Sequence, residues 1–194
     1  MPKTIFALAA VVLLASPAFA QDPQPTCKNC PGTYIGNDEL NAYLKRAIAN
    51  KIIDQQVRSV DIGKSNVAIG MVHRTRITTP GEVAEHDLVS EVYHIISGGA
   101  TLVLGPDLVD AKRRPATNVN VRLLNGPGHN AASIRNGVSY ELKAGDVVVI
   151  PAGTGHWFTK IDDHISYLMI RVDPDKVTPL KDEAASKADL AKSQ

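Results

Sequence analysis

The chain has 194 residues, of which 44% are hydrophobic, 21% charged and only 5% aromatic. Those proportions fit one globular domain and exclude a disordered chain, a collagen-like repeat and a multi-pass membrane protein. Lys plus Arg number 21 against 20 Asp plus Glu, so there is no strong field to hold nucleic acid or an anionic membrane, and two cysteines are too few for a disulfide scaffold.

Residues 1–20 read as a signal peptide. Lys3 precedes an apolar run over 5–15, and Ala18, Phe19 and Ala20 give the small-residue ending that a signal peptidase cuts. The run is too short to cross a bilayer, which takes about 20 apolar residues. Cleavage leaves Gln21 as the mature N-terminus of a periplasmic or secreted protein with no membrane segment. Losing Lys3 also balances the charge. Residues 21–36 then form an N-terminal segment holding Cys27 and Cys30. In an oxidising compartment this spacing reads as a short disulfide, with a redox pair as the alternative.

Residues 37–56 are assigned to an N-terminal helix, periodic over 37–50. Asn37 or Asp38 is positioned to cap it, and Leu40, Tyr43, Leu44, Ala47 and Ile48 recur on one face. That face predicts a helix packed on the outside of the main domain. From 57 to 180 the pattern changes to short β-like runs at 67–72, 88–96, 101–104, 138–142, 147–150, 156–161 and 165–172. Several such strands with close turns predict an antiparallel sandwich or barrel. Ser97, Gly98 and Gly99 read as a tight connection between two strands, and Asp162, Asp163 and His164 as a hairpin turn. Residues 105–137 form a long polar insertion. Its Lys112, Arg113 and Arg114 are a solvated charge run, or an anion-binding group if the insertion folds over the barrel mouth. Residues 181–194 read as a polar tail, either a frayed helix or a disordered end.

Two segments carry the chemistry. In the second, Gly145 opens an apolar strand that Pro151 stops and Gly153 turns, and His156 begins the next strand. Gly145, Pro151, Gly153 and His156 resemble the second motif of the cupin family at its fixed offsets. His86, Glu91 and Gly98 fall at positions of the family's first motif. Ala84 stands where that motif has its first histidine, Thr78 where it has its leading glycine, and Lys160 where the family often has asparagine. The resemblance covers roughly residues 66–172 and is to small single-domain bacterial cupins.

The resemblance implies an all-β fold, a cupin-type antiparallel β-barrel of jelly-roll kind with the N-terminal helix outside it. It also implies one divalent metal ion (Fe, Mn, Zn, Ni or Cu) held by His86, Glu91 and His156. With Ala84 in place of histidine, three protein ligands remain, as is typical of open catalytic centres. Period-two alternation puts Tyr93 on the face of Glu91, which makes it a candidate catalytic group able to hydrogen-bond a metal-bound ligand. His73 is either a substitute for the missing histidine or a half-buried histidine satisfied locally. His94 alternates to the opposite face, toward a subunit partner or solvent. His129 is expected to be exposed, and His164 receives no role. Phe158 shares the parity of His156, and Trp157 points away. The expected partner is a small-molecule ligand or substrate, and the expected assembly a homodimer. Dioxygenase, isomerase, lyase and decarboxylase chemistry all occur on this fold. The alternatives are a non-catalytic small-ligand-binding cupin and a structural or interaction module of the cell envelope.

Overall fold

The computed structural model of the chain describes residues 22–192; the signal peptide over 1–20 and its cleavage before Gln21 lie outside the described residues. Helix α1 (Asn37–Asn50) leads into strands β1 (Asp54–Asp61), β2 (Asn66–Ile77), β3 (Val83–His86) and β4 (Ser90–Gly105). Short strands β5 (Leu108–Val109) and β6 (Lys112–Arg113) and a π-helical turn (Val121–Asn125) follow. Then come β7 (Gly128–Ala131), β8 (Ser133–Ile134), β9 (Val138–Lys143), β10 (Val147–Ile150), β11 (Gly155–Asp173) and helix α2 (Glu183–Ala191).

Two long bent strands, β4 and β11, organise everything else. Residues 90–98 of β4 and 161–173 of β11 run side by side in one antiparallel half, ordered β1-β2-β11-β4-β10. Residues 99–105 of β4 and 155–160 of β11 belong to the other half, ordered β6-β7-β3-β11-β4-β9. The expected antiparallel β fold is therefore present, although its hydrogen-bonded path has free edges instead of closing into a ring. An apolar core fills the space within it, built on Tyr93, Ile95, Leu102, Phe158, Tyr167 and Met169.

The bends correct two readings of the sequence. Ser97, Gly98 and Gly99 do not separate two strands. They kink one, and the inward-facing set changes from odd positions (Glu91, Tyr93, Ile95) to even ones (Ala100, Leu102). Gly98 has φ +74°, and a Cβ there would overlap the carbonyl oxygen of His164 on the neighbouring strand. Asp162 and Asp163 likewise sit at an irregularity inside β11 and not in a hairpin turn.

The helix at the N-terminus ends at Asn50, so residues 54–56 open β1 instead of extending the helix. Its N-cap is Gly36, and Asp38 and Glu39 lie in the first turn, where their charge meets the positive end of the helix dipole. Tyr43 and Ala47 are buried and Leu40 and Leu44 pack nearby against Val57 and Met71, but Ile48 is 52% exposed. The 181–194 tail contains α2. Asp182 caps it by accepting from the Ala185 N–H at 2.8 Å, and buried Ser186 donates its hydroxyl to the Val57 carbonyl. Tyr43 completes this second core, donating to the Ser186 carbonyl at 3.0 Å.

The 105–137 insertion is also ordered. Strands β6 and β7 extend one half-sheet beyond β3, and β5 pairs with β8. Near the N-terminus, Cys27 and Cys30 form a disulfide with Cα atoms 5.8 Å apart.

Candidate metal and ligand site

Glu91 reaches the interior because β4 alternates, and β11 lies antiparallel beside it so that Arg171 is its direct cross-strand partner. His156 opens β11 opposite Ala84 of β3, and His86 ends β3. A backbone bond ties the two motifs together: the Gly153 N–H donates to the His86 carbonyl at 2.8 Å. The turn at Pro151 is also held to β4, where Ser90 Oγ accepts from the Ala152 N–H at 3.0 Å. The spacing of the second motif thus fixes where His156 sits relative to His86.

The three side chains converge. His86 Nε2 is 3.4 Å from Glu91 Oε1, His156 Nε2 is 3.6 Å from Glu91 Oε2, and the ligand-type atoms of all three lie within 4.8 Å of one another. They are 4%, 2% and 6% exposed respectively. Two imidazoles and one carboxylate so placed suit a divalent transition metal and leave coordination positions open toward the cavity. Ala84, opposite His156, lines that cavity with a methyl group where a fourth ligand would stand.

The surroundings hold Glu91 in place. Arg171 Nε donates to Glu91 Oε1 at 3.1 Å, and the Tyr93 hydroxyl donates to Oε2 at 2.6 Å. Arg171 in turn donates to Asp54, and at 3.4 Å to Gln56. Burial alone would push the Glu91 carboxyl up, but His86, Arg171 and His156 hold it well below the ordinary carboxylate range. Burial pulls His156 down to about 4 against the opposing charge of Glu91, so at neutral pH it is an uncharged imidazole able to ligate. Burial and the adjacent Glu91 push the Tyr93 phenol well above its usual value, so its proton stays on the hydroxyl. On this geometry Tyr93 orients Glu91.

The other histidines lie elsewhere. His73 Nδ1 is 2.9 Å from Ser166 Oγ, and its ring stacks on His164, apart from the three-residue group. His94 is exposed. His129 is half-buried: its Nδ1 lies 2.8 Å from Glu85 Oε2 and 3.4 Å from Asp87 Oδ1, fastening β7 to β3. Phe158 is buried beneath the Arg74 guanidinium, and Trp157 donates to the Gly81 carbonyl at 2.7 Å.

A cavity of about 480 Å³ opens above Glu91, and a second of about 500 Å³ shares its walls at Lys51, Ile53, Arg74, Ala84 and His156. The insertion supplies much of the polar lining of the first. Of its basic run, Lys112 is exposed and Arg113 pairs with Asp87 at 2.8 Å, but Arg114 turns inward and donates from Nη2 to His86 Nδ1 at 2.9 Å. Sequence reasoning did not single out Arg171, Asp54 or Asn125. For Arg171 a signal existed, since Tyr167, Met169 and Arg171 share one strand parity and an arginine on an apolar face needs a buried acid.

No family model matches the chain, and no curated protein matches it in sequence. Solved structures do resemble it. A Bacillus halodurans protein is 13% identical, over 82% of this chain and 97% of that one, with a TM-score of 0.43. An RmlC-like cupin with a double-stranded β-helix fold from Methanocaldococcus jannaschii is 14% identical, over 63% and 84%, with a TM-score of 0.37. A cupin protein from Bacteroides fragilis is 16% identical, over 59% and 72%, with a TM-score of 0.33. The chain's two motifs are joined by the Gly153–His86 bond and carried on paired antiparallel strands, the all-β arrangement that the sequence predicts.

Proposed function

We propose that the chain is an exported single-domain cupin that holds one divalent metal ion at His86, Glu91 and His156 and acts on a small oxygen-rich molecule in the adjoining cavity. The observation that carries this reading is the buried convergence of three ligand atoms within 4.8 Å at a cavity wall. A bound ion would supply Lewis-acid polarisation of a substrate oxygen. The chain's own residues do the rest. Arg171 and Tyr93 fix the Glu91 carboxylate, burial keeps His156 neutral, and the apolar core beneath excludes water from one side. Export is supported by the pattern over 1–20 and by the Cys27–Cys30 disulfide, and a homodimer through the free edge of β10 accompanies the reading.

Elemental analysis of the mature protein, purified without chelator or a metal-binding tag, tests it beside His86→Ala and His156→Ala. About one equivalent of a transition metal in the wild type, lost in both variants, is the expected result. A metal-free wild type after reconstitution, with both variants folded, overturns it. A second reading, a non-catalytic ligand-binding module, is favoured by one observation: both Glu91 oxygens already accept hydrogen bonds. Under it, Glu91→Gln leaves ligand affinity intact.

A further inference from the structure

We propose that the cavity above Glu91 recognises a small hydroxylated oxyanion, its charged head held by Arg114 and a hydroxyl held by Asn125. This deepens the ligand-cavity reading above but does not need the metal.

Charge gives the first reason. Four cationic side chains, Lys51, Arg74, Arg114 and Arg171, line the cavity against two carboxylates, Asp54 and Glu91. Both carboxylates are paired to the same cation, Arg171. Among the described residues, Arg114, Arg74 and Lys51 form no ion pair; Glu85, Glu91 and Asp87 act on Arg114 from nearby, and the lining itself holds four cations against two carboxylates in a partly desolvated space. An oxyanion is attracted there more strongly than it would be at an open surface.

Unsatisfied polar atoms give the second. Asn125 is 8% exposed, and its Oδ1 is buried without a hydrogen-bond partner; Arg114 Nε is buried without one too. Both side chains line this cavity. Buried groups left unpaired cost about 1–3 kcal/mol each, so a ligand that satisfies them is favoured. The two ask for different chemistry. Arg114 Nη2 is already used by the Glu85 carbonyl and His86 Nδ1, which leaves Nε and Nη1 as charged donors for a carboxylate or phosphate oxygen. Asn125 Oδ1 is an acceptor, and a fully ionised head group has no hydrogen to give it, so a ligand that satisfies both groups carries a donor such as a hydroxyl beside its charge.

The local fold is shaped to present these groups. The Arg114 N–H donates to the Gly128 carbonyl at 2.9 Å, and a Cβ at Gly128 would overlap the Arg114 guanidinium and the Glu85 carbonyl oxygen. Only glycine lets the arginine pass inward at that point. Asn125 closes the π-helical turn, a conformation that recurs at functional sites, and Gly126 with φ +66° redirects the chain into β7. A volume of about 480 Å³ fits a small metabolite and not a polymer.

Calorimetric titration of the mature protein, as purified and after metal removal, with sorbitol, gluconate and sorbitol 6-phosphate tests the proposal. The three probes share a hydroxylated chain and differ in head group. At least one charged probe is expected to bind saturably, about tenfold or more tighter than sorbitol, in both preparations. Gluconate alone, sorbitol 6-phosphate alone or both satisfies the proposal and says which oxyanion the site takes. Arg114→Met abolishes the preference for charge, and Asn125→Leu weakens the preferred probe about fivefold or more. Lys51→Met, at an exposed rim position, weakens it about threefold with an unchanged melting temperature. Charged probes that bind no tighter than sorbitol overturn the proposal. So do Asn125→Leu and Lys51→Met proteins that melt like wild type and bind equally well. Because the metal-stripped protein is titrated separately, loss of the metal reading does not remove the anion result.

Discussion

Arg114 donates a hydrogen bond from Nη2 to His86 Nδ1 across 2.9 Å. A guanidinium can only donate, so His86 Nδ1 is the acceptor and the proton of its neutral ring sits on Nε2, facing Glu91. Nε2 is also the atom that must bind a metal ion through its lone pair. Metal loading with a neutral imidazole and the Arg114–His86 bond are therefore mutually exclusive, and the arginine must withdraw before the ion is fully ligated. Arg114→Met is expected to tighten zinc or manganese binding about tenfold, the lower end of what groups behind a metal ligand control. Competition against a chelating dye reads this, and an unchanged or weaker affinity contradicts it. The same substitution abolishes oxyanion preference, so its two effects run in opposite directions.

Glu91 and Arg171 are both 2% exposed and bonded across adjacent strands. Removing one charge strands the other in the interior, which typically costs 3–5 kcal/mol. Asp54 still holds Arg171, so Glu91→Gln is expected near about 3 kcal/mol, at the low end. Arg171→Met leaves Glu91 with its Tyr93 bond and the His86 and His156 side chains but without its arginine, and should destabilise at least as much. Urea denaturation with an unchanged m-value measures both. A loss below about 1 kcal/mol for either would mean that the pair is solvated in a way its burial does not suggest.

The two motifs were legible because their residues do backbone work as well as chemistry. Pro151 ends a strand, Gly153 has φ +78° and donates to His86, and those demands fix residue types at fixed spacings. Two features escaped for physical reasons. Gly98 and Gly99 look the same in sequence whether they make a turn between strands or a kink within one; the contact with His164, far along the chain, decides. Asn125 sits in a polar insertion without periodicity, and for Arg114 the sequence left a solvated run and an anion-binding group both open, because no local pattern there distinguishes an inward side chain from a solvated one. Arg113 and Arg114 are adjacent, yet Arg113 at the end of β6 pairs with Asp87 at the surface and Arg114, just past it, turns inward.

Gly128 can be tested for the role its surroundings give it. Alanine there overlaps both the Glu85 carbonyl oxygen and the Arg114 guanidinium, so the β3–β7 pairing must shift and Arg114 must leave its place as well. Gly128→Ala should therefore reproduce the Arg114→Met loss of oxyanion preference and lower stability by about 1–3 kcal/mol, as overpacking usually does. Equal binding of the charged probe by this variant would show that Arg114 reaches the ligand by another path.

Val147 and Val149, each 62% exposed, lie on β10, which pairs with β4 alone, and His94 opposite Val147 is exposed as well. Aliphatic side chains on a free strand edge invite pairing with another chain. The mature protein is expected to sediment as a homodimer, and Val149→Lys as a monomer of unchanged fold. A wild type that sediments as a monomer at tens of micromolar removes this edge as an interface.

The docking of α2 should depend on pH at both ends of the scale, through one cluster. Lys181 Nζ reaches Asp189 Oδ2 at 2.7 Å and the Tyr43 hydroxyl at 3.1 Å, and Arg46 donates to the same carboxylate at 3.1 Å. Partial burial would raise the Asp189 carboxyl, but hydrogen bonds from Lys181 and Arg46 bring it down to about 2. A depressed carboxyl contributes stability above its ordinary value near 4 and loses it as pH falls toward 2. Burial and the Asp189 charge push the Tyr43 phenol up to about 12. A raised phenol contributes fully below its ordinary value near 10 and loses its contribution as pH rises toward 12. Thermal melts across pH should therefore fall off in both windows, with Asp189→Asn flattening the acid limb and Tyr43→Phe the alkaline one. If Asp189→Asn retains the wild-type acid limb, the buried carboxylates elsewhere carry the acid sensitivity and α2 is held by Ser186 and its apolar contacts alone.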